Sequence, residues 1–479
     1  MSKYDYDLIV IGGGAAGLTA STFAGQSAAK TLLVEKEEKL GGDCLHYGCV
    51  PSKSLIKSAY AHHILKGAEK YGLPKLDIPP VDFDKITARI REIIATIQKQ
   101  DEPDYLAEQY NVETQFGAAR FTDAHTIILK DKKMTSRFFV LATGSSPSIP
   151  PVEGLAEIPY LTNTNIFQLS KLPASMIILG GGPIGMEMAQ AFQRLGTQVT
   201  VVEFLPRILA REDADISAFA EEFCAAEGIL FHLETKAIRA QKGGGGIRLT
   251  VEKEGRSFDL EAETLLVATG RTPNSSGLDL EKAGVLCAPQ GLPVNNKMQT
   301  NIPHIYACGD LTGQYPFTHV ASQEAVTAIM NAILKIPQKM DYTKIPWCTY
   351  LDPEIASIGY NETRAKEAGL AYTLQKMSLA HNDRALAEGE NRGFIKLLLN
   401  KKGMPIGAQI IAPHAGELIA EWIPVLNKRL KLSAVTGAVH PYPTLAEINK
   451  NAGLAYVVST IPAWTKKLTK FFFRYQGKA

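Results

Sequence analysis

The chain has 479 residues, 45% hydrophobic and 21% charged, with mean hydropathy near zero; this is the make-up of a globular protein of about three domains. Lys+Arg 51 against Asp+Glu 49 leaves a formal charge of +2, so there is no overall basic field for nucleic acid. No apolar run approaches the roughly 18 residues of a membrane span, the N-terminus lacks the regions of a signal peptide, and six cysteines are too few for a disulfide scaffold. The expectation is a cytoplasmic enzyme whose paired cysteines are catalytic rather than structural.

The first element is an apolar strand that runs into a glycine turn and a small-residue helix, Tyr6–Gly17 (YDLIVIGGGAAG). Gly12, Gly14 and Gly17 have the spacing that lets a pyrophosphate approach backbone N–H groups at a helix N-terminus. Glu35 ends the next strand, TLLVE, where a carboxylate accepts from both ribose hydroxyls. The segment GGDCLHYGCVPSK follows, with Cys44 and Cys49 five positions apart and Pro51 marking a helix that starts near Cys49. A helix N-terminus favours the thiolate, the reactive form of cysteine. A long helical stretch, Ser54–Tyr110, is then punctuated around Gly72–Pro80.

Val140–Gly144 (VLATG) closes an apolar strand, and Ser175–Gly185 (SMIILGGGPIG) repeats the opening pattern with Gly180, Gly182 and Gly185. The strand Gln198–Val202 leads to Glu203; an acid there repels a 2′-phosphate, so NADH is expected over NADPH, although Arg207 lies four residues on and would receive a phosphate. Ala237–Val267 reads as antiparallel strands with a hairpin tip at Gly243–Gly246, ending in a second echo, VATG. The chain therefore carries two copies of one βαβ nucleotide-binding unit. From about Asp341 short strands and helices without a glycine fingerprint indicate a third domain. Cys224, Cys287, Cys308 and Cys348 are isolated and read as buried small hydrophobes. The last stretch, Trp464–Ala479, holds five basic residues and no acid. Its pattern allows a membrane-surface helix, but the expectation is a terminal helix that packs its aromatics on the third domain and leaves its basic face in solvent.

Across essentially its whole length the sequence resembles the class I pyridine nucleotide–disulfide oxidoreductases, through GGGAAG, GGDCLHYGCVPSK, VLATGSSP, GGGPIGMEMA, VATGRTPN, IYACGD and HPYPTLAE. The resemblance implies an α/β fold with two Rossmann-like dinucleotide-binding domains and an α+β dimerisation domain. Residues 1–150 and 271–340 would form a split FAD domain, 151–270 the NAD(P) domain and 341–479 the dimerisation domain of a homodimer whose active site is shared between subunits. By position, Cys49 is the thiol stacked on the flavin and Cys44 the interchange thiol that meets substrate. Lys53 matches the lysine beside flavin N5 and Glu187 its carboxylate partner, a cation placed to stabilise the negative reduced flavin. Gly42, Lys36, Ala118, Thr143, Gly144 and Asp310 fall at FAD-contacting positions, with Thr318 and His319 near the isoalloxazine; Gly270 falls in the NAD(P) unit.

The C-terminal motif departs from the family pattern. Disulfide-reducing members present a His–Glu pair there, whereas aligning Val439–Glu447 (VHPYPTLAE) puts Tyr442 in the histidine position, with His440 two residues earlier and Glu447 in the glutamate position. A phenol of pKa about 10 is a poor base near neutrality, where imidazole at about 6.5 is well matched. This tyrosine, with ALAEGENRGFIKL and APHAGELI, looks most like mercuric reductase, whose soft metal substrate needs thiolates. Mercuric reductases also carry vicinal C-terminal cysteines and an N-terminal metal-binding domain, neither of which this sequence shows, so mercury reduction is not expected as its main task. The reading is an NADH-preferring FAD enzyme that passes electrons through Cys44–Cys49 to a small-molecule or metal–thiol substrate, with no nucleic-acid partner and no resident metal. Dihydrolipoyl dehydrogenase is the alternative enzyme, and a flavin-loaded redox sensor with little turnover is the alternative of another class.

Overall fold

A computed structural model describes residues 3–477. The protein forms two compact units: one runs to Ala210 and includes Ser217–Asp341, and the other joins Arg211–Ile216 to the chain from Tyr342 onward.

Two sheets of like design organise the first unit. In one, strands Val112–Phe116, Thr31–Glu35, Tyr6–Ile11, Lys132–Leu141 and Ile305–Ala307 lie parallel in that order. The central strands Tyr6–Ile11 and Thr31–Glu35 are near-continuous apolar runs because both faces are covered; Leu8, Ile9, Val10, Leu32 and Leu33 are fully buried. In the other, Leu230–His232, Gln198–Val202, Ser175–Leu179 and Thr264–Val267 repeat the parallel order. Each parallel set has an antiparallel companion: Arg120–Asp123 and Thr126–Leu129 against the long strand, and the meander Lys236–Gly243, Gly246–Lys253, Arg256–Ala262. The hairpin tip falls at Gly244–Gly245 as the glycine run predicts. One expectation changes here. Thr264–Val267 is not part of the antiparallel meander but pairs parallel to Ser175–Leu179 at the end of the second parallel sheet, where Leu265, Leu266 and Val267 are buried.

The two ATG echoes meet. Ser145–Pro147 pairs antiparallel with Arg271–Pro273, so the segments leaving the two units are joined in one short ribbon.

The second unit is a five-stranded antiparallel sheet, Pro346–Thr349, Glu354–Gly359, Pro405–Ala412, Phe394–Asn400, Tyr372–Ser378 in spatial order. Helices cover a core built around Trp422, Ile395, Leu397 and Ile410. The strap Arg211–Ile216 is tied into this unit by charge. Lys396 Nζ, fully buried, lies 2.8 Å from Asp213, 2.8 Å from Asp215 and 2.7 Å from Glu362. Among the described residues these three acids form the one group with metal-ligand spacing, and a lysine ammonium sits among them. Glu212 next door is buried and accepts from Trp347, Ser357 and Gln409; burial pushes its carboxyl up.

Removing one partner of a buried ion pair leaves the other unpaired, at a cost of about 3–5 kcal/mol. Lys396→Met is therefore expected to lower the unfolding free energy extrapolated from urea titration by an amount of that order. A loss under about 1 kcal/mol, the range of an exposed pair, would contradict the assignment of Lys396 as the counter-ion of the strap.

Candidate active site

The two glycine turns are backbone cradles. Gly12 sits at φ +108°, and a Cβ on Gly17 would run into the carbonyl oxygen of Gly12, so helix and strand approach as closely as glycine allows. Gly180 and Gly185 repeat both features. Helices Ala15–Gln26 and Pro183–Leu195 start at Gly14 and Gly182 with no side-chain cap and no acid in the first turn, leaving their N–H groups to an anion. Space above them is open: a Cβ on Gly182 would meet nothing within 4 Å, and one on Gly14 only the Cα of Gly42 at 3.8 Å. The acids are placed identically. Glu35 accepts from Gly13 N at 2.6 Å and Glu37 N at 2.9 Å; Glu203 accepts from Gly181 N at 2.6 Å and Leu205 N at 2.8 Å. Two such cradles fit two dinucleotides.

The thiol pair lies beside the first cradle. Cys44 belongs to the short helix Gly42–His46, and Cys49 is the first residue of helix Cys49–Lys66, as Pro51 predicted. Neither sulfur is in a disulfide, Cys49 being exposed and Cys44 half-buried. Cys49 Sγ lies 3.4 Å from Thr318 Oγ1, at the start of helix Thr318–Ala332. The hydrogen bond from Cys44, assisted by Thr318 and the charge of Lys53, brings the Cys49 thiol down to about 6 against partial desolvation by the protein around it. The same hydrogen bond, with burial and the negative charge forming on Cys49, pushes Cys44 up. The two shifts run in opposite directions, Cys49 toward the thiolate and Cys44 toward the thiol. Lys53 lies one turn beyond Cys49 and its Nζ donates to Glu187 Oε2 at 2.7 Å, Glu187 being buried in helix Pro183–Leu195.

The remaining expected residues are spread around this centre. Asp310 accepts from Ser145 Oγ at 2.5 Å. Thr143 Oγ1 donates to the Asn274 carbonyl at 2.7 Å, and the Gly144 carbonyl accepts from Asn274 N. Gly270 leads into the short ribbon at φ +141°. The His319 ring stacks on Phe317. Lys36 is exposed and pairs with Glu37, and Ala118 is exposed in the turn after Val112–Phe116.

Sequence reasoning missed Arg271. Its guanidinium donates to Ser145 Oγ at 2.6 Å and the Ser145 carbonyl at 2.7 Å, and lies 3.2 Å from Asp43 and 3.6 Å from Asp310. It therefore links the residue before Cys44 to Asp310, the carboxylate expected to contact FAD. The arginine that follows the second ATG was the available signal. Asn163, which donates to Asp43 at 2.9 Å, carries no motif.

In the second unit His440 has a carboxylate partner, but not Glu447. Its Nε2 lies 2.9 Å from Glu421 Oε1, and Glu421 also accepts from Asn449. Glu447 accepts from Thr444 N at 3.4 Å. Tyr442 is 71% exposed and donates to Asp383 at 3.0 Å, which holds its phenol above the usual range. The outlying cysteines divide: Cys224 and Cys308 are buried as expected, Cys348 is half-buried and Cys287 is exposed, because it falls in a surface segment after the short helix Leu280–Ala283.

Paired dinucleotide cradles around a dithiol define a flavoprotein that moves electrons between a nicotinamide cofactor and sulfur. Residues 6–325 match the family model described as pyridine nucleotide-disulphide oxidoreductase, and 345–452 match that family's dimerisation domain. Similar proteins include a mercuric reductase of Streptomyces lividans, 32% identical over 94% of this chain and 96% of that protein. A dihydrolipoamide dehydrogenase of Chaetomium thermophilum is 34% identical over 95% of this chain and 92% of that protein. The flavoprotein disulfide reductase RclA of Escherichia coli, 24% identical, shares the fold at a TM-score of 0.83 over 94% of this chain and 99% of that one. The chain belongs to the pyridine nucleotide–disulfide oxidoreductase family, of class I, and is an FAD- and NAD(P)H-dependent enzyme.

Thiolate absorption near 240 nm in the reduced protein is expected to appear with a midpoint near pH 6, the thiolate being present above that pH and lost below it. In Cys44→Ala, which removes the largest cause of the shift, the midpoint moves toward the ordinary cysteine value of about 8.5. An unchanged midpoint in that variant would show that Cys44 does not stabilise the Cys49 thiolate.

Proposed function

We propose that the enzyme passes electrons from NADH through the Cys44–Cys49 disulfide to a thiol-bound metal or a disulfide, in the manner of mercuric reductase. The observation that carries this reading is the placement of the dithiol, with Cys49 at a helix start, its sulfur 3.4 Å from Thr318 Oγ1, and Lys53 one turn on, fixed by Glu187. FAD, when bound, accepts a hydride equivalent from NAD(P)H and delivers two electrons to the disulfide. The S–S bond then breaks as two electrons and one proton are taken up, leaving Cys49 as thiolate and Cys44 as thiol. Cys44 is the interchange thiol; its elevated pKa requires a base to withdraw its proton before it attacks substrate. Lys53, fixed by Glu187, supplies positive charge beside Cys49 and the expected flavin position.

Gly12, Gly14, Gly17, Glu35, Lys36, Gly42, Ala118, Thr143, Gly144, Asp310, Thr318 and His319 would hold FAD. Gly180, Gly182, Gly185, Glu203 and Gly270 would hold the nicotinamide cofactor, Glu203 favouring an unphosphorylated ribose. Residues 1–150 with 271–340, 151–270 and 341–479 are the corresponding domains, and the Val439–Glu447 segment of a second copy completes the site in a homodimer. The likeness to the mercuric reductase of Streptomyces lividans supports a soft-metal acceptor, for which two thiolates are suited ligands. Tyr442 is not a base there, since its phenol is held protonated and donates to Asp383.

A second reading is favoured by the His440–Glu421 pair. An imidazole oriented by a carboxylate is the base that dithiol exchange needs, and the likeness to the dihydrolipoamide dehydrogenase of Chaetomium thermophilum supports a disulfide acceptor. Steady-state NADH oxidation with Hg(II) in excess thiol and with lipoamide, each against an oxygen-only blank, separates the two. The metal reading predicts turnover with Hg(II), little with lipoamide, and at least about a hundredfold loss in Cys44→Ser. Turnover with lipoamide that His440→Ala abolishes, and Tyr442→Phe spares, would establish the second reading instead. Glu203→Ala is expected to reduce the NADH over NADPH preference at least about tenfold, equivalent to roughly 1.4 kcal/mol; an unchanged ratio would remove the basis for that preference.

A further inference from the structure

The C-terminal helix Ala463–Phe473 inverts the usual burial of an amphipathic helix. None of its residues is buried. Trp464, Phe471 and Phe472 are 64%, 79% and 66% exposed, and Leu468 is also exposed. Thr465 and Thr469 are the least exposed positions of the helix, so its polar threonine stripe, and not its aromatic one, is the shielded side. The expectation that the aromatics pack on the third domain is thereby corrected.

At 3.6 residues per turn, Trp464, Leu468, Phe471 and Phe472 share one face. Lys466, Lys467, Lys470 and Arg474 occupy the flank away from the threonines. No acid lies in this stretch. Lys478, the fifth cation, is outside the described residues.

We propose that this helix docks the enzyme on an anionic membrane surface, its aromatic face at the headgroup–acyl boundary and its lysines and arginine on the lipid phosphates. An interfacial helix needs an exposed apolar face rich in Trp, Phe and Leu, together with flanking cations that anionic lipid neutralises. Both are present without competing acids. The helix is too short and too charged to span a bilayer, and no helix among the described residues is long and apolar enough to cross one. A second copy of the chain is a poorer occupant. Were the helix to pair with its own copy across a two-fold axis, these cations would face one another with no acid on the helix to answer them. The helix also lies beyond residues 345–452, the stretch that matches the family's dimerisation domain.

The test is flotation of the holoenzyme with phosphatidylcholine vesicles, with and without phosphatidylglycerol, read alongside tryptophan fluorescence. Of the three tryptophans, Trp347 and Trp422 are buried and Trp464 is exposed, so a blue shift on binding reports on Trp464. The expected result is flotation and a blue shift with phosphatidylglycerol vesicles only, both lost at high salt. The triple variant Lys466→Gln/Lys467→Gln/Lys470→Gln and the double variant Phe471→Ser/Phe472→Ser should each weaken binding at least about tenfold. Both should leave NADH oxidation and the sedimentation coefficient unchanged. Absence of flotation, equal binding to pure phosphatidylcholine, or binding that persists at high salt would overturn the proposal. So would dissociation of the enzyme by Phe471→Ser/Phe472→Ser, which would make the aromatic face a contact between copies.

Discussion

Starting a helix at Cys49 puts Lys53 one turn further along the same face, and most of the site is arranged around that pair. The ammonium favours the thiolate, but a lysine on a flexible four-carbon stem does so only if it is held. Glu187 holds it at 2.7 Å, and Glu187 comes from the helix that opens the second glycine cradle. One helix therefore offers its N-terminal N–H groups to an anion and, a turn later, fixes the charge beside the thiols. The nicotinamide side and the sulfur side of the proposed relay are connected through a single rigid element. Displacing that helix would alter both together.

The duplication has a related consequence. Each cradle carries the same carboxylate-to-glycine hydrogen bond, 2.6 Å in both copies, and each ends in an ATG segment whose continuation pairs with the other. Arg271 sits in that ribbon and reaches Asp43 and Asp310. A half-buried guanidinium with planar geometry can bridge several oxygen acceptors at once, so one residue ties the cysteine loop to the ribbon and to the Asp310 segment. Its charge offsets two carboxylates that would otherwise repel one another close to the thiol pair.

What the sequence disclosed follows from how local each requirement is. The glycine fingerprints were legible because the need for no side chain at Gly12 and Gly17 is set by their own turn and helix. Cys49 as a helix start was legible from Pro51. Glu187 and Asp310 were legible only through resemblance, since their partners are distant in the chain. Arg271 and Glu421 were not anticipated. Arg271 meets Asp43 and Ser145 through the fold, and Glu421 is one of several acids near the third domain's helices until tertiary packing places it against His440. The strand Thr264–Val267 was misread as antiparallel because a four-residue apolar run does not reveal which neighbour it will take. The terminal helix shows the same limit: periodicity gives its apolar face, but not whether that face is covered.

The central claim is that the Cys44–Cys49 pair is an electron store in addition to the flavin, and not a pair of bystander thiols. Anaerobic reductive titration of the oxidised holoenzyme with dithionite tests it most directly. The account predicts that the wild-type enzyme takes up an additional two-electron equivalent per flavin compared with Cys44→Ser, with the thiolate signature appearing as that equivalent is consumed. Equal uptake by the two proteins, with Cys44 shown to be oxidised at the start in the wild type, would contradict it.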